Sequence, residues 1–285
     1  MLPATASLSY EHKLAHLREQ LAALPGVVVA FSAGVDSTAL LHACRDVLGD
    51  RAVAVTADSP SLPRSELLEA AALALEIGVR HVVLPTDELS RAGYRENAGD
   101  RCYHCKKELF VTVAERRADI APAEWPVVYG AITDDLGDHR PGQEAAREHQ
   151  VLAPLLSAGF SKDDVRRYSR DAGLANAEKP SFACLSSRVP YGTAIDRERL
   201  GQIERAEAVL RAHGFLQFRV RHHDSLARIE VAAEELERAF EMREVLGRDV
   251  QAAGYKFVAI DVFGYRSGAM NALLAQPEDR SDPLS

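Results

Sequence analysis

A chain of 285 residues is long enough for one large α/β domain and a smaller partner, because single hydrophobic cores stop growing at roughly 250–300 residues. Apolar residues at 47% and charged residues at 27% are ordinary globular values, which sets aside disordered and fibrous architectures. No apolar run approaches the ~20 residues of a membrane span, the first residues lack a signal-peptide pattern, and the net charge of −8 offers nucleic acid no general attraction; a cytoplasmic protein with a small substrate is expected.

Leu14, Leu17, Leu21 and Leu24 recur at helical spacing before Pro25–Gly26, and the run Val27–Val29 then reads as a buried strand. Strand-like runs return at 52–57, 81–84 and 127–130, separated by helical stretches at 38–48, 64–77 and 106–117. That alternation predicts a doubly wound parallel sheet, whose ligands bind beyond the carboxyl ends of the strands. The loops after Phe31, Ala57 and Gly130 lie there. Ser161–Asp164 has the form of a capping box, opening a helix that ends near Gly173. Residues 174–195 then lose periodicity. A helix over 196–213, alternating runs at 216–220 and 226–231, a helix near 234–246 and a strand at 256–262 predict a smaller C-terminal α+β domain. The boundaries expected are a first domain over 1–178, a cysteine-bearing joint over 179–195, a small substrate-binding domain over 196–275 and a polar tail over 276–285.

Phe31 to Thr38, read Phe-Ser-Ala-Gly-Val-Asp-Ser-Thr, follows the first strand and opens a helix, so backbone N–H groups and a helix N-terminus converge on one point. Such a point suits an anion, and the Ser32, Ser37 and Thr38 hydroxyls add donors beside Gly34; an ordinary strand-to-helix turn is the plain alternative. The run resembles the Ser-Gly-Gly-x-Asp-Ser signature of the PP-loop ATP pyrophosphatases, with Ala33 in place of one glycine. That resemblance implies the adenine nucleotide alpha hydrolase-like fold, ATP cleaved to AMP and pyrophosphate, and Mg²⁺ with Asp36 as a candidate ligand. The lysine of a Walker loop is absent. Asp58, after the second strand, is a candidate nucleotide contact or a loop cap.

Four cysteines in a reducing compartment point to chemistry or metal binding rather than a disulfide framework. Cys44, among Leu40, Leu41 and Ala43, reads as a small core side chain. Cys102 and Cys105, in Arg101-Cys-Tyr-His-Cys-Lys-Lys107, have cationic neighbours that favour thiolates; half a zinc site and a thioredoxin-like motif are the alternatives. Cys184 stands in an aperiodic stretch between Lys179 and Arg188, cations expected to favour its thiolate, although a packed linker cysteine is the plain reading.

In that order the phosphate loop, the Cys102–Lys106 run, Asp134-Asp-Leu-Gly-Asp-His-Arg-Pro-Gly142 and the Cys184 segment look like the LarE family of ATP-dependent sulfur transferases, over roughly Phe31 to Gly268. The family matures the nickel-pincer cofactor of lactate racemase by turning carboxylates of pyridinium-3,5-biscarboxylic acid mononucleotide into thiocarboxylates. Members with one cysteine, matching Cys184, sacrifice its sulfur and leave dehydroalanine. Members with three, matching Cys102, Cys105 and Cys184, are associated with a 4Fe-4S cluster whose open iron carries sulfide. This chain has the three-cysteine pattern.

Asp134, Asp135 and Asp138 are candidates to bind Mg²⁺ or position substrate, Arg140 to hold a carboxylate or phosphate by its planar fork, and Arg188 to contact substrate. Arg219, Arg221, His222 and Arg228 alternate with apolar residues on two neighbouring strands, which gathers cations into a candidate anion site; the resemblance implies the mononucleotide phosphate for Arg219 and Arg221. An acidic loop and a solvated sheet face are the plain alternatives. Gly130-Ala131-Ile132 departs from the family's usual Gly-Thr-Asn. Glu207 and Glu230 are weaker candidates, since acidic residues on exposed helix and strand faces are common, and Asp261 and Arg266 receive no role. A homo-oligomer and cofactor-biosynthesis partner proteins are expected. The rival functions are a tRNA thiolase, an amide-forming PP-loop ligase and a non-catalytic nucleotide-binding regulator.

Overall fold

The computed structural model describes residues 8–137, 141–180 and 183–266. In chain order its regular elements are α1 (Tyr10–Ala22), β1 (Val27–Ala30), α2 (Val35–Leu48), β2 (Ala52–Asp58), α3 (Arg64–Ile77), β3 (Arg80–Pro85), α4 (Ala92–Arg95), α5 (Arg101–Glu115), α6 (Arg117–Ile120) and β4 (Val127–Tyr129). They continue with α7 (Pro141–Glu148), α8 (Pro154–Ser157), α9 (Lys162–Asp171), α10 (Arg197–Ala212), β5 (Phe218–His223), β6 (Leu226–Val231), α11 (Leu236–Glu241), α12 (Arg243–Ala252) and β7 (Phe257–Ile260). The described residues form two compact units, one before residue 89 and from 102 to 180, the other from 89 to 101 and from 183 onward.

The first unit carries the expected parallel sheet, in the order β3-β2-β1-β4. Val27, Val28 and Val29 have no exposed surface, as an all-apolar β-branched run requires when both faces of a parallel strand are covered. Leu17 and Leu21 of α1 join Leu40, Leu41 and Cys44 of α2 in the core. Strand order reverses between β1 and β4, so the loops leaving those strands diverge and open a crevice at their carboxyl ends. Gly130, just past β4, closes onto the start of α2: a Cβ there would stand 2.9 Å from Asp36 C and Ser37 N. The capping box opening α9 is present, Ser161 and Asp164 satisfying each other's backbone N–H groups.

The second unit holds a three-stranded sheet, β5-β6-β7, with β5 antiparallel and β7 parallel to β6. Its core joins Ala206 and Leu210 of α10, Leu246 and Val250 of α12 and the inward residues Phe218, Val220, Ile229 and Val231. The single helix expected near 234–246 is two, α11 and α12, which meet at Met242. Residues 89–101 belong to this unit although they lie between β3 and α5 of the sheet domain.

Candidate active site

The phosphate loop is built as its composition demands. Gly34 is the N-cap of α2 and offers no side-chain acceptor to the helix, leaving its N-terminal dipole for an outside anion. Ser37 Oγ donates to Gly34 O at 3.0 Å and accepts from Ser32 N at 3.3 Å, while Thr38 Oγ1 donates to Gly34 O at 3.0 Å, so the hydroxyls fix the loop. Ala33 adopts φ 57°, in the left-handed region that favours glycine. Its carbonyl accepts from Asn176 Nδ2 at 3.0 Å and Lys179 Nζ at 3.4 Å, which holds the conformation.

Lys162 is the residue at this loop that sequence reasoning missed. Its ammonium donates to both oxygens of Asp36, at 2.8 and 2.9 Å, and its backbone N donates to Asp134 Oδ2 at 3.0 Å. The capping box marked the start of α9, but nothing local told that this turn returns to α2. Asp36 therefore faces a cation within the protein. Asp58 is bound by Arg64, which also donates to Ser59 O and Leu62 O at 2.8 Å, so the pair closes the loop after β2. Asp135 Oδ2 accepts from Ile132 N at 3.0 Å, so Asp134 and Asp135 brace the loop after β4 and the start of α9. Asp138 and Arg140 lie outside the described residues.

Cys102 and Cys105 occupy the first turn of α5, which starts five residues earlier than the helical stretch expected from Lys106. Their i, i+3 spacing sets both thiols on one side of the helix, Cys102 exposed and Cys105 half-buried. Lys106 lies over the Tyr129 ring, 4.7 Å from its centroid, at the carboxyl end of β4. The Tyr129 hydroxyl is held above its ordinary range by burial, with Asp135 adding to the effect. Cys44 is fully buried, and burial pushes its thiol up, consistent with an inert core side chain.

Cys184, half-buried in the second unit, is the N-cap of a short 3-10 turn over Leu185–Arg188. Its carbonyl accepts from Ser187 N at 3.0 Å, Ser187 Oγ at 2.8 Å and Arg188 Nη1 at 2.9 Å, which fixes the backbone under the thiol. The cations expected to flank it have other partners. Lys179, in the first unit, reaches Glu66 at 2.7 Å and Glu69 at 2.8 Å. Arg188 has no exposed surface and forks onto Glu207 at 2.7 and 2.9 Å, a pairing that braces the turn.

Arg219 and Arg221 are not on a solvated face; both are buried. Arg221 donates to Glu230 from Nε at 2.9 Å and Nη2 at 2.7 Å, and its Nη1 donates to Ser187 O at 3.0 Å. Arg219 donates to Phe218 O at 2.6 Å and stacks 4.9 Å from the Tyr265 ring centroid. Burial, together with repulsion from Arg188, pushes the Arg219 guanidinium down to about 10. Arg228 joins Glu230 at 3.1 Å and Asp261 at 2.5 Å, so Glu207, Glu230 and Asp261 are the counter-charges of this arginine cluster.

Among the described residues, no group of three or more His, Cys, Asp or Glu side chains is arranged to hold a metal ion. Also among them, no helix is long and apolar enough to cross a membrane.

No family model matches the chain. It is 41% identical over 269 residues to an uncharacterised protein of Synechocystis sp., covering 93% of this chain and 99% of that one. It is 36% identical over 267 residues to the pyridinium-3,5-bisthiocarboxylic acid mononucleotide synthase of Lactiplantibacillus plantarum, covering 93% of this chain and 96% of the synthase. An uncharacterised protein of Methanocaldococcus jannaschii is 26% identical over 245 residues, with 85% and 91% covered. At that identity and coverage to the synthase, the chain belongs to the LarE family.

Proposed function

We propose that this chain is an ATP-dependent sulfur transferase that converts a carboxylate of pyridinium-3,5-biscarboxylic acid mononucleotide into the thiocarboxylate. The observation that carries the reading is the near full-length match to the synthase, joined to a phosphate loop with an open helix N-terminus and Cys184 on a fixed turn. A substrate carboxylate oxygen attacks the α-phosphorus of ATP. The loop of Ser32, Gly34, Ser37 and Thr38 binds the departing pyrophosphate, and Lys162 supplies charge beside Asp36, the candidate Mg²⁺ ligand. In the acyl adenylate that results, the carboxyl carbon carries AMP as its leaving group. The Cys184 thiolate attacks that carbon and expels AMP; loss of the Cα proton then breaks the Cβ–S bond, leaving sulfur on the product and dehydroalanine in the chain.

A second reading is favoured by Cys102 and Cys105, whose paired thiols on one helical turn suit soft-metal ligation. Cys102, Cys105 and Cys184 are its candidate ligands, and a 4Fe-4S cluster held by them would carry an extra sulfide on its open iron in place of the Cys184 sulfur, to be replaced by sulfide from solution after each transfer.

The test is anaerobic incubation with ATP, Mg²⁺ and the mononucleotide, before and after reconstitution with iron and sulfide. AMP and pyrophosphate are the expected products, and stoichiometric ADP with phosphate refutes the reaction class. Single transfer with loss of H₂S mass at Cys184 supports the sacrificial route. Multiple turnover lost in each of Cys102→Ala, Cys105→Ala and Cys184→Ala, and retained in Cys44→Ala, supports the second.

A further inference from the structure

The Cys184 turn is held from two sides within its unit, and only one side comes from the turn and the chain that follows it. Arg188, Glu207 and Arg221 come from the turn itself, α10 and β5. The other side is the segment Leu89–Arg101, which the chain sends into this unit between β3 and α5. Asn97 is fully buried, with φ 54°. Its Nδ2 donates to Pro190 O at 2.7 Å, Thr193 O at 3.0 Å and Val189 O at 3.3 Å, while its own carbonyl accepts from Gly192 N at 3.1 Å. One side-chain amide has two N–H groups, so three acceptors saturate it through one shared bond. Tyr94, also buried, meets Ser186 Oγ through its hydroxyl at 2.6 Å. Arg101 Nη1 donates to Ser186 O at 3.0 Å and to Asn97 Oδ1 at 2.5 Å.

We infer that Tyr94, Asn97 and Arg101 are positioning residues for the sulfur chemistry at Cys184, clamping the turn that presents its thiol. A chain needing only a link between β3 and α5 has no use for a left-handed asparagine whose side-chain N–H groups are both spent on residues 189–193. Buried networks of this kind define one conformation because any loosened member leaves polar groups unsatisfied. The adenylation loop lies in the other unit and shares none of these bonds. Loss of the clamp should therefore uncouple the two half-reactions.

This inference rests on the proposed use of Cys184, and its test carries one readout that does not. Asn97→Ala and Tyr94→Phe are compared with the unmodified chain in three measurements: ATP–pyrophosphate exchange with the mononucleotide present, sulfur transferred per folded chain, and the rate of iodoacetamide alkylation at Cys184 with buried Cys44 as reference. Asn97→Ala should lower transfer roughly 10–100-fold, as expected for a reacting group misplaced by up to ~1 Å, while exchange stays close to the original value. Alkylation at Cys184 should become faster. Tyr94→Phe, which removes one hydroxyl, should shift both in the same directions by less. A merely structural role lowers the folded fraction but leaves the ratio of transfer to exchange unchanged, and that result overturns the inference. So does an unaltered alkylation rate at Cys184 in both variants. If the unmodified chain shows no exchange, adenylation is refuted while alkylation still decides the clamp. Should Asn97→Ala not fold, Tyr94→Phe and Arg101→Lys decide it, since lysine keeps the charge but not the fixed fork that serves Asn97 and Ser186.

Discussion

Gly130→Ala places a single methyl group against the phosphate loop and tests the geometry on which adenylation depends. Its Cβ would lie 2.9 Å from Asp36 C and Ser37 N and 3.0 Å from Asp36 O, all backbone atoms that no rotamer change can move. Ordinary carbon contacts begin near 3.5 Å, so β4 and α2 must separate by roughly 0.5 Å. Overpacking of this kind costs about 1–3 kcal/mol, and a unit of this size loses ~2–4 °C in Tm per kcal/mol. The same displacement shifts the pyrophosphate donors. If 1 Å costs ~100-fold in a positioned reaction, half of that costs ~10-fold in ATP–pyrophosphate exchange per folded molecule. Gly26→Ala is the control. Its Cβ would meet the Trp125 ring at 2.3 Å, at the opposite end of β1, so it should lower Tm while exchange per folded molecule stays intact. Exchange at the original rate in Gly130→Ala, or an equal loss in both variants, would refute the reasoning.

Lys162→Ala should lower exchange by about 10–150-fold through loss of a charge-assisted contact, with Lys162→Arg recovering part of it; an unchanged rate in Lys162→Ala removes that ammonium from the mechanism. Arg188→Met should destabilise the second unit by about 3–5 kcal/mol in urea unfolding, because it leaves Glu207 charged and buried; a cost below ~1 kcal/mol contradicts the buried pairing. His222 and His223 are held below the ordinary imidazole range, first by burial and then by Arg199 and Arg228 respectively. The unfolded chain therefore takes up protons first, and stability should fall as pH drops below about 6.5. His222→Gln should flatten that slope, and a slope unaltered by the change assigns it to other groups.

The parts legible in the sequence are local ones. Val27–Val29, Ser32–Thr38 and Ser161–Asp164 each carry their structure in adjacent residues, through β-branching, small polar residues before a helix, and reciprocal capping. Lys162 was visible as a helix-start residue and invisible as a partner of Asp36, because 126 positions separate them and only the fold joins them. The return of Leu89–Arg101 to the second unit left no periodic signal, since it acts through single side chains such as Asn97. The alternation of Arg219 and Arg221 in β5 marks a candidate anion site and leaves a solvated sheet face open as the alternative; their burial was not legible, because both faces of that strand are covered by elements distant in sequence. The glutamates that neutralise their neighbours lie on α10 and β6, and no spacing rule links them.

That burial makes Arg219 the informative residue of the cluster. Its guanidinium is pushed down to about 10, chiefly by desolvation and then by Arg188, against the opposing pull of Glu207. A cation whose folded value lies below its unfolded one binds its proton less well in the native state, so at neutral pH its charge costs stability. A bound phosphate dianion would reverse that cost by restoring a counter-charge in the same place. Arg219→Met, of similar length and apolar, should therefore raise Tm of the ligand-free protein, unlike Arg188→Met, which should lower it. The same change should weaken the mononucleotide by about 10–150-fold, the span of one charge-assisted bond, and should weaken the phosphate-free pyridinium much less. Differential scanning fluorimetry with each ligand measures both effects. A lowered Tm in the ligand-free variant would mean that Arg219 is held for the fold; equal weakening of the two ligands would mean that it does not read the phosphate.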